Sequence, residues 1–356
     1  MIAGIDSERN ILEEDLRYIV GQTRYLWEEL RAARIFISGG TGFLGCWLLE
    51  SFAWANEHLA LDALAVVLTR DPVSFRRKAP HLASCPSVRL HVGDVRSFEF
   101  PDGQFRFLIH AAGATNAQTT VNALDSIDTI VQGTRRVLEF ARQSGVAKLL
   151  FTSSGAVYGS QPAEITHCPE SYRGGPDPAD PRSVYGESKR LAELLCSVYA
   201  ERFGIQCKIA RGFAFAGPYL PVDGHFAFGS FVRDALRGGP IRVSGDGTPY
   251  RSYLYAADLT VWLWTILFRG GNCMPYNVGS ENAITITELA NEIAAALGPD
   301  LKVQTARTPL AGQLPQRYVP ATKLARDGLG LRERIGLRES ILRTAWWHTQ
   351  RIGAPD

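Results

Sequence analysis

The sequence predicts an α/β protein built on a doubly wound parallel sheet, with a smaller lobe toward the carboxyl terminus. Three observations lead there. Short apolar runs of strand length, at 34–38, 61–68, 88–92, 105–110, 146–151 and 206–210, alternate with longer stretches of helical rhythm, the pattern of successive βαβ units. The first run passes directly into Gly39-Gly40-Thr41-Gly42-Phe43-Leu44-Gly45 and then an apolar helical stretch, so it reads strand, glycine turn, helix. Finally, Val184-Tyr185-Gly186-Glu187-Ser188-Lys189 opens a helical pattern in which Tyr185 and Lys189, four apart, share one face.

Composition narrows the function classes. The 356 residues, 46% hydrophobic and 21% charged, suffice for one large α/β unit and a second lobe. The 38 basic and 36 acidic residues are well mixed and leave a net charge of +2, which argues against nucleic acid as a partner. Cys46, Cys85, Cys168, Cys196, Cys207 and Cys273 form no Cys-x-x-Cys pair and have no histidine at metal spacing. They read as reduced packing residues, with no metal site and no disulfide framework. The amino terminus lacks the apolar core of a signal peptide, and no run of about eighteen apolar residues suggests a membrane span. The expected location is the cytoplasm.

In chain order, 7–33 forms an added amphipathic helical segment through Ile11, Leu12, Leu16, Ile19, Val20, Leu26, Trp27 and Leu30, expected to pack on the domain or on a second subunit. The glycine turn that follows is a dinucleotide fingerprint. Gly39 permits the tight turn, Gly42 lets the backbone approach a pyrophosphate, Gly45 lets the helix pack close, and the free amides at the helix start (Phe43, Leu44) attract the phosphates. The helix runs 43–56. A fifth strand should deliver Thr152-Ser153-Ser154-Gly155-Ala156-Val157-Tyr158-Gly159 to the carboxyl edge of the sheet. The Pro-, Gly- and Asp-rich stretch 160–183 cannot be regular structure; Glu164, His167 and Glu170 lie in it and could supply an acid or base. The helix 184–202 follows, with Leu191, Leu194, Leu195 and Val198 expected as its buried stripe. An ammonium beside a phenol favours the phenolate, so Tyr185 is the expected proton handler and Lys189 its tuner.

The glycine turn, the Ser154 segment and the Tyr-x-x-x-Lys pair together resemble the extended short-chain dehydrogenase/reductase family, in its NAD(P)-dependent nucleotide-sugar epimerase/dehydratase branch, from about Arg34 to about Arg351. That resemblance implies a Rossmann-type doubly wound sheet with a smaller carboxy-terminal substrate-binding lobe, divided as an extension (1–33), a cofactor domain (34–212) and a mainly sugar-nucleotide lobe (213–356) interleaved with it. It implies Ser154, Tyr185 and Lys189 as the catalytic set. It also implies cofactor contacts from Thr69, Arg70, Asp94, Val95, Ala111, Ala112, Gly113 and Thr152 besides the glycine turn, Tyr185 and Lys189. His110, at the strand end, is expected to be a structural hydrogen-bonding residue. At the end of the second strand, Thr69 stands where NAD-using relatives have Asp, with Arg70 beside it, which favours NADP(H) over NAD(H).

Substrate contacts implied in the same way are Thr115 (in 115–118), Ser154, Gly155, Arg251 and Arg317, the arginines facing a nucleotide diphosphate. Asp258 is expected to cap the helix after Arg251. Three departures stand out: Ile130 and Ala214 occupy positions where relatives carry asparagine, and Gly155-Ala156 stands where sugar dehydratases carry Asp-Glu. Sugar-acid decarboxylases keep a glutamate nearby. The expected reaction is therefore hydride transfer at a sugar C4 by an epimerase or a 4-keto-sugar reductase. The alternatives are a 4,6-dehydratase using loop carboxylates, or a non-catalytic cofactor-sensing protein. A homodimer through two long helices, 125–144 and 184–202, is also implied.

Overall fold

The computed structural model describes residues 10–113, 122–223, 226–310 and 312–352. Its centre is a seven-stranded sheet formed by β1 (Arg34–Ser38), β2 (Leu64–Thr69), β3 (Val88–Val92), β4 (Phe107–His110), β5 (Lys148–Ser154), β6 (Gln206–Gly212) and a late strand, Pro275–Val278. From one edge the order is Pro275–Val278, β6, β5, β4, β1, β2, β3, and every pair is parallel. Strand order reverses between β1 and β4, which opens a crevice at their carboxyl ends. The apolar runs lie where the sequence places them, shifted by a few residues at their ends. β1 and β4 are almost wholly buried, as expected of parallel strands covered on both faces.

Helices cover both faces: α1 (Ile11–Thr23), α2 (Phe43–His58), α3 (Pro72–Lys78), α4 (Pro80–Ala83), α5 (Ala123–Gln143) and α6 (Val184–Phe203). The smaller lobe adds α7 (Ala227–Leu236), α8 (Ala256–Arg269), α9 (Ile286–Leu297), α10 (Lys323–Leu329) and α11 (Leu337–Ile352). Three small sheets complete it, pairing β7 (Phe215–Ala216) with β10 (Leu254–Tyr255), β8 (Ile241–Val243) with β13 (Val303–Thr305), and β9 (Tyr250–Arg251) with β12 (Ile284–Thr285) and β14 (Arg317–Tyr318). The strand Pro275–Val278, β11, returns from this lobe to pair with β6, so the two parts are interleaved. Among the described residues no helix is long and apolar enough to cross a membrane.

The amino-terminal segment packs on the domain. From α1, the buried Asp15 accepts from Tyr255 Oη at 2.6 Å and pairs with Arg343 of α11, while Tyr18 Oη donates to Asp258 at 2.5 Å. Trp27, in the 3₁₀ segment Arg24–Leu30, packs on Trp264 of α8 with ring centroids 4.9 Å apart. Asp258 therefore is not a helix cap. Tyr255 occupies that position, and Asp258 is fully buried, accepting the amides of Arg334 and Ile335 at 2.9 Å besides the Tyr18 hydroxyl. It fastens α1 and the segment before α11 to α8.

A second expectation is reversed on α6. Gly186, Ser188, Lys189, Ala192, Cys196, Tyr199 and Ala200 form its buried face against α5 and the sheet, whereas Leu191, Leu194 and Val198 are 44%, 59% and 45% exposed. Small residues let α6 lie close to its neighbours; of the expected stripe Leu195 packs partly buried on the core, while Leu191, Leu194 and Val198 fall on the outer side.

Candidate active site

The crevice above β1 and β4 is floored by the glycine turn. Gly39 has φ +74°, and a Cβ there would lie 2.4 Å from the Ala112 nitrogen, so the turn rests directly on the exit of β4. A Cβ at Gly45 would meet Gly40 Cα at 2.3 Å, which is why α2 can start against the turn. Gly42 caps α2 with no side-chain hydrogen bond, and the first turn holds no acidic residue. The amides of Phe43 and Leu44 thus begin a helix whose positive end no side chain neutralises, a fit for a pyrophosphate.

Around this floor, Thr69 is buried at the end of β2 and its Oγ1 accepts the Asp71 amide at 3.2 Å. Arg70 is exposed, while Asp71 is engaged as the cap of α3, accepting from Ser74 N at 2.8 Å. Asp94 is held by Arg96 through contacts of 2.8 and 2.9 Å, which lowers its pKa, and the Arg70 charge adds to the effect. The buried Val95 packs against Gly133, where a Cβ would come within 2.9 Å of it. Lys78 of α3 donates to the Thr41 carbonyl in the turn at 2.9 Å, a cation that motif reading missed; the basic run Arg76-Arg77-Lys78 was its signal.

His110 behaves as expected of a structural residue. It is buried between Ser38 Oγ at 2.7 Å and Thr134 Oγ1 at 3.0 Å, and burial lowers its pKa to about 3, keeping it neutral. Ala111, Ala112 and Gly113 follow it. A Cβ at Gly113 would stand 3.4 Å from Lys189 Nζ, so this small-residue edge leaves room beside the lysine. Thr115 lies outside the described residues.

At the other wall, β5 ends in Thr152, Ser153 and Ser154, and α6 begins with Tyr185. Lys189, 4% exposed, donates to the Thr152 carbonyl at 2.8 Å and lies 4.8 Å from the centre of the Phe151 ring. The position equivalent to the missing asparagine, Ile130, is a buried apolar neighbour of this edge. Burial lowers the Lys189 pKa to about 8, opposed by the Glu193 carboxylate, which is itself clamped by Arg211 at 2.6 Å. Burial raises the Tyr185 pKa, and the neighbouring Ser154 hydroxyl acts the other way.

Two residues at this wall were not read from the sequence. Tyr318 Oη is 3.4 Å from Ser154 Oγ, and its ring packs on Phe213 at 4.7 Å. Gly155 lies under that phenylalanine: a Cβ at 155 would be 2.7 Å from Phe213 Cζ. β14 runs parallel to β9 with Tyr318 opposite Arg251 and Arg317 opposite Tyr250. The Arg251 guanidinium is 5.9 Å from the Tyr318 ring centre and has no carboxylate partner among the described residues; burial works against its charge. Arg317 stacks over Tyr250 at 4.1 Å. Of the loop groups, Glu170 accepts the Asn277 amide at 2.9 Å, His167 meets the Glu281 carbonyl at 2.9 Å, and Glu164 is exposed.

Residues 35–279 match the NAD dependent epimerase/dehydratase family. UDP-glucuronic acid decarboxylase 3 of Arabidopsis thaliana is 31% identical over 309 residues, 86% of this chain and 86% of that protein. Among solved structures, UDP-N-acetylglucosamine 4-epimerase from Methanobrevibacter ruminantium superimposes with a TM-score of 0.76 at 17% identity, covering 90% of this chain and 99% of that one. The dTDP-glucose 4,6-dehydratase of Streptomyces venezuelae, solved with NAD bound, gives 0.73 at 24% identity over 90% of this chain and 98% of that one.

Proposed function

Because the chain belongs to the NAD dependent epimerase/dehydratase family of enzymes, we propose that it acts on a nucleotide-diphosphate sugar by hydride transfer at C4, as an epimerase or a 4-keto-sugar reductase. The observation that carries this reading is the convergence of Ser154, at the end of β5, with the start of α6, whose Lys189 donates to the Thr152 carbonyl and whose Tyr185 lies one turn earlier, with Phe213 over Gly155. Gly39, Gly42, Phe43, Leu44 and Gly45 would hold the pyrophosphate, Asp94 and Val95 the adenine side, and Ala111, Ala112, Gly113 and Thr152 the nicotinamide side. The nicotinamide, when bound, accepts and returns a hydride. Tyr185 takes the proton from the sugar hydroxyl, Ser154 bonds the same oxygen, and Lys189 holds its charge beside the phenolate. Arg251, with Arg317 beyond it, faces the diphosphate.

The reading is tested with nucleotide hexoses carrying deuterium at C4. Deuterium retained in a product inverted at C4 identifies an epimerase, and its appearance on the cofactor a dehydrogenase; the reverse assay supplies a 4-keto sugar. A panel of UDP and dTDP sugars that exchanges no label would remove the proposal.

The decarboxylase relatives favour a second outcome from the same first step. Oxidation at C4 of a hexuronic acid leaves a ketone β to the C6 carboxylate; carbon dioxide departs, the electron pair forms the enolate, C5 is protonated, and hydride return reduces the ketone. Carbon dioxide release from a UDP-hexuronate selects this outcome. A dehydratase would need loop carboxylates, and the engagement of Glu170 by Asn277 and the exposure of Glu164 do not support it.

We further propose a preference for NADP(H), since Arg70 is exposed at the end of β2 and Asp71 is engaged elsewhere. Arg70→Ala should weaken NADP binding by roughly tenfold or more while changing NAD affinity little, the loss expected of one charged hydrogen bond. Equal effects on both cofactors in titration calorimetry would show that Arg70 does not read the phosphate.

The exposed Leu191, Leu194 and Val198 stripe of α6 fits a second copy of this chain, with α5 and α6 of each subunit forming the contact. Leu194→Arg should convert a dimer to a monomer in light scattering at micromolar concentration; a wild-type chain that is monomeric there contradicts the assignment.

A further inference from the structure

We propose that Tyr318 is a positioning residue for the acid/base step: its phenol donates to Ser154 Oγ when Tyr185 is a phenolate, and so directs the serine's single proton onto that phenolate. This rests on Tyr185 being the acid/base group, as proposed above.

The argument is one of hydrogen-bond capacity. A serine hydroxyl has one proton and two acceptor positions. One acceptor position of Ser154 is taken by the Ala156 amide at 3.1 Å. Tyr318 Oη lies 3.4 Å from Ser154 Oγ and 3.4 Å from the Gly212 carbonyl, which can only accept. The three groups therefore have two arrangements. With Tyr185 protonated, Ser154 can donate to Tyr318, which donates to Gly212. With Tyr185 ionised, the stronger charge-assisted bond draws the serine proton to the phenolate, and Tyr318 swings its own proton from Gly212 to Ser154. The second arrangement belongs to the enzyme before a sugar oxygen takes over the serine proton; it fills all three positions on Ser154 and is available only if residue 318 carries a hydroxyl. The present separations are longer than settled O–H···O bonds, as in sites whose contacts tighten with substrate in place.

Tyr318 is built to stay a donor. Burial raises its pKa most, ahead of the Ser154 hydroxyl, which lowers it; a charge on Tyr185 raises it further and Arg251 lowers it. It is held by pairing with β9, by the Phe213 ring, and through Val319, whose carbonyl accepts Cys168 N at 2.8 Å. The charged and titratable groups around this wall are Ser154 on β5 beside Tyr185, Tyr318 on β14 with Arg251 of β9 behind it, and Lys189 of α6, which donates to the Thr152 carbonyl and has the neutral His110 of β4 as a neighbour.

The test follows tyrosinate absorbance against pH with saturating nicotinamide cofactor in wild type, Tyr185→Phe, Tyr318→Phe, Ser154→Ala and the Ser154→Ala/Tyr318→Phe double variant. Phenylalanine keeps the packing on Phe213. The lowest-titrating phenol should vanish in Tyr185→Phe and move up by about half to one pH unit in Tyr318→Phe, the differential effect of one hydrogen bond. In the Ser154→Ala background the second substitution should add nothing, because Tyr318 acts through the serine. The turnover pH profile should move in parallel. If Tyr185→Phe leaves the lowest transition in place, the acid/base assignment falls and this inference with it. If that transition is lost in Tyr185→Phe but unmoved in Tyr318→Phe, or if the two shifts add fully, the role of Tyr318 alone is overturned.

Discussion

Tyr185→Phe should lower kcat by about 10²–10⁴-fold, the range associated with a positioned general acid/base, with nicotinamide cofactor affinity nearly unchanged. The ring stays at the start of α6, and Lys189 keeps its bond to the Thr152 carbonyl, so only the exchangeable proton is removed. Stopped-flow hydride transfer separates the chemical step from cofactor binding by fluorescence. A variant that turns over at the wild-type rate would place proton transfer elsewhere, and Glu170 and Glu164 would then have to be reconsidered. Because burial raises the Tyr185 pKa while Ser154 lowers it, the wild-type rate should rise with pH as the phenol ionises, in the direction of oxidation.

Asp15→Ala should be the most destabilising single change away from the site, by about 1–3 kcal/mol near pH 4, the cost of leaving buried donors without their acceptor. Arg343 would retain Glu339 at 2.8 Å, but the buried Tyr255 hydroxyl would lose its acceptor. Thermal unfolding measures the loss, and a change below about 1 kcal/mol would show that α1 is not integral to the domain. The pH dependence has a definite sign. Burial raises the Asp15 pKa from 3.8 to about 7 despite Arg343, so folding favours the protonated carboxyl. Its contribution is fully present below pH 3.8 and is lost as pH rises through about 7. Asp15→Asn, which cannot titrate, should flatten that part of the stability profile.

How much was legible in the sequence follows from the range of the interactions. The strands and the glycine turn were readable because apolar periodicity and glycine spacing are local. His110 was readable because a histidine closing a buried strand must find hydrogen-bond partners, and Ser38 and Thr134 supply them. Tyr318 was not, since it sits in a two-residue strand without periodicity and meets Ser154 across 164 positions of chain. Asp258 was misread because its partners come from Tyr18 and from Arg334 and Ile335, while its place early in a helix suggested the ordinary local role. On α6, leucines at helical spacing looked like core. The packed face is instead defined by Gly186, Ala192 and Ala200, whose small size sequence hydrophobicity undervalues.

The seating of Phe213 over Gly155 ties two parts of the wall together. A side chain at 155 would bring its first atom to 2.7 Å from the Phe213 ring, so that ring would have to give way to admit one. The same ring packs on Tyr318. A replacement at 155 is therefore felt, through one aromatic ring, by a tyrosine on a strand far away in the chain.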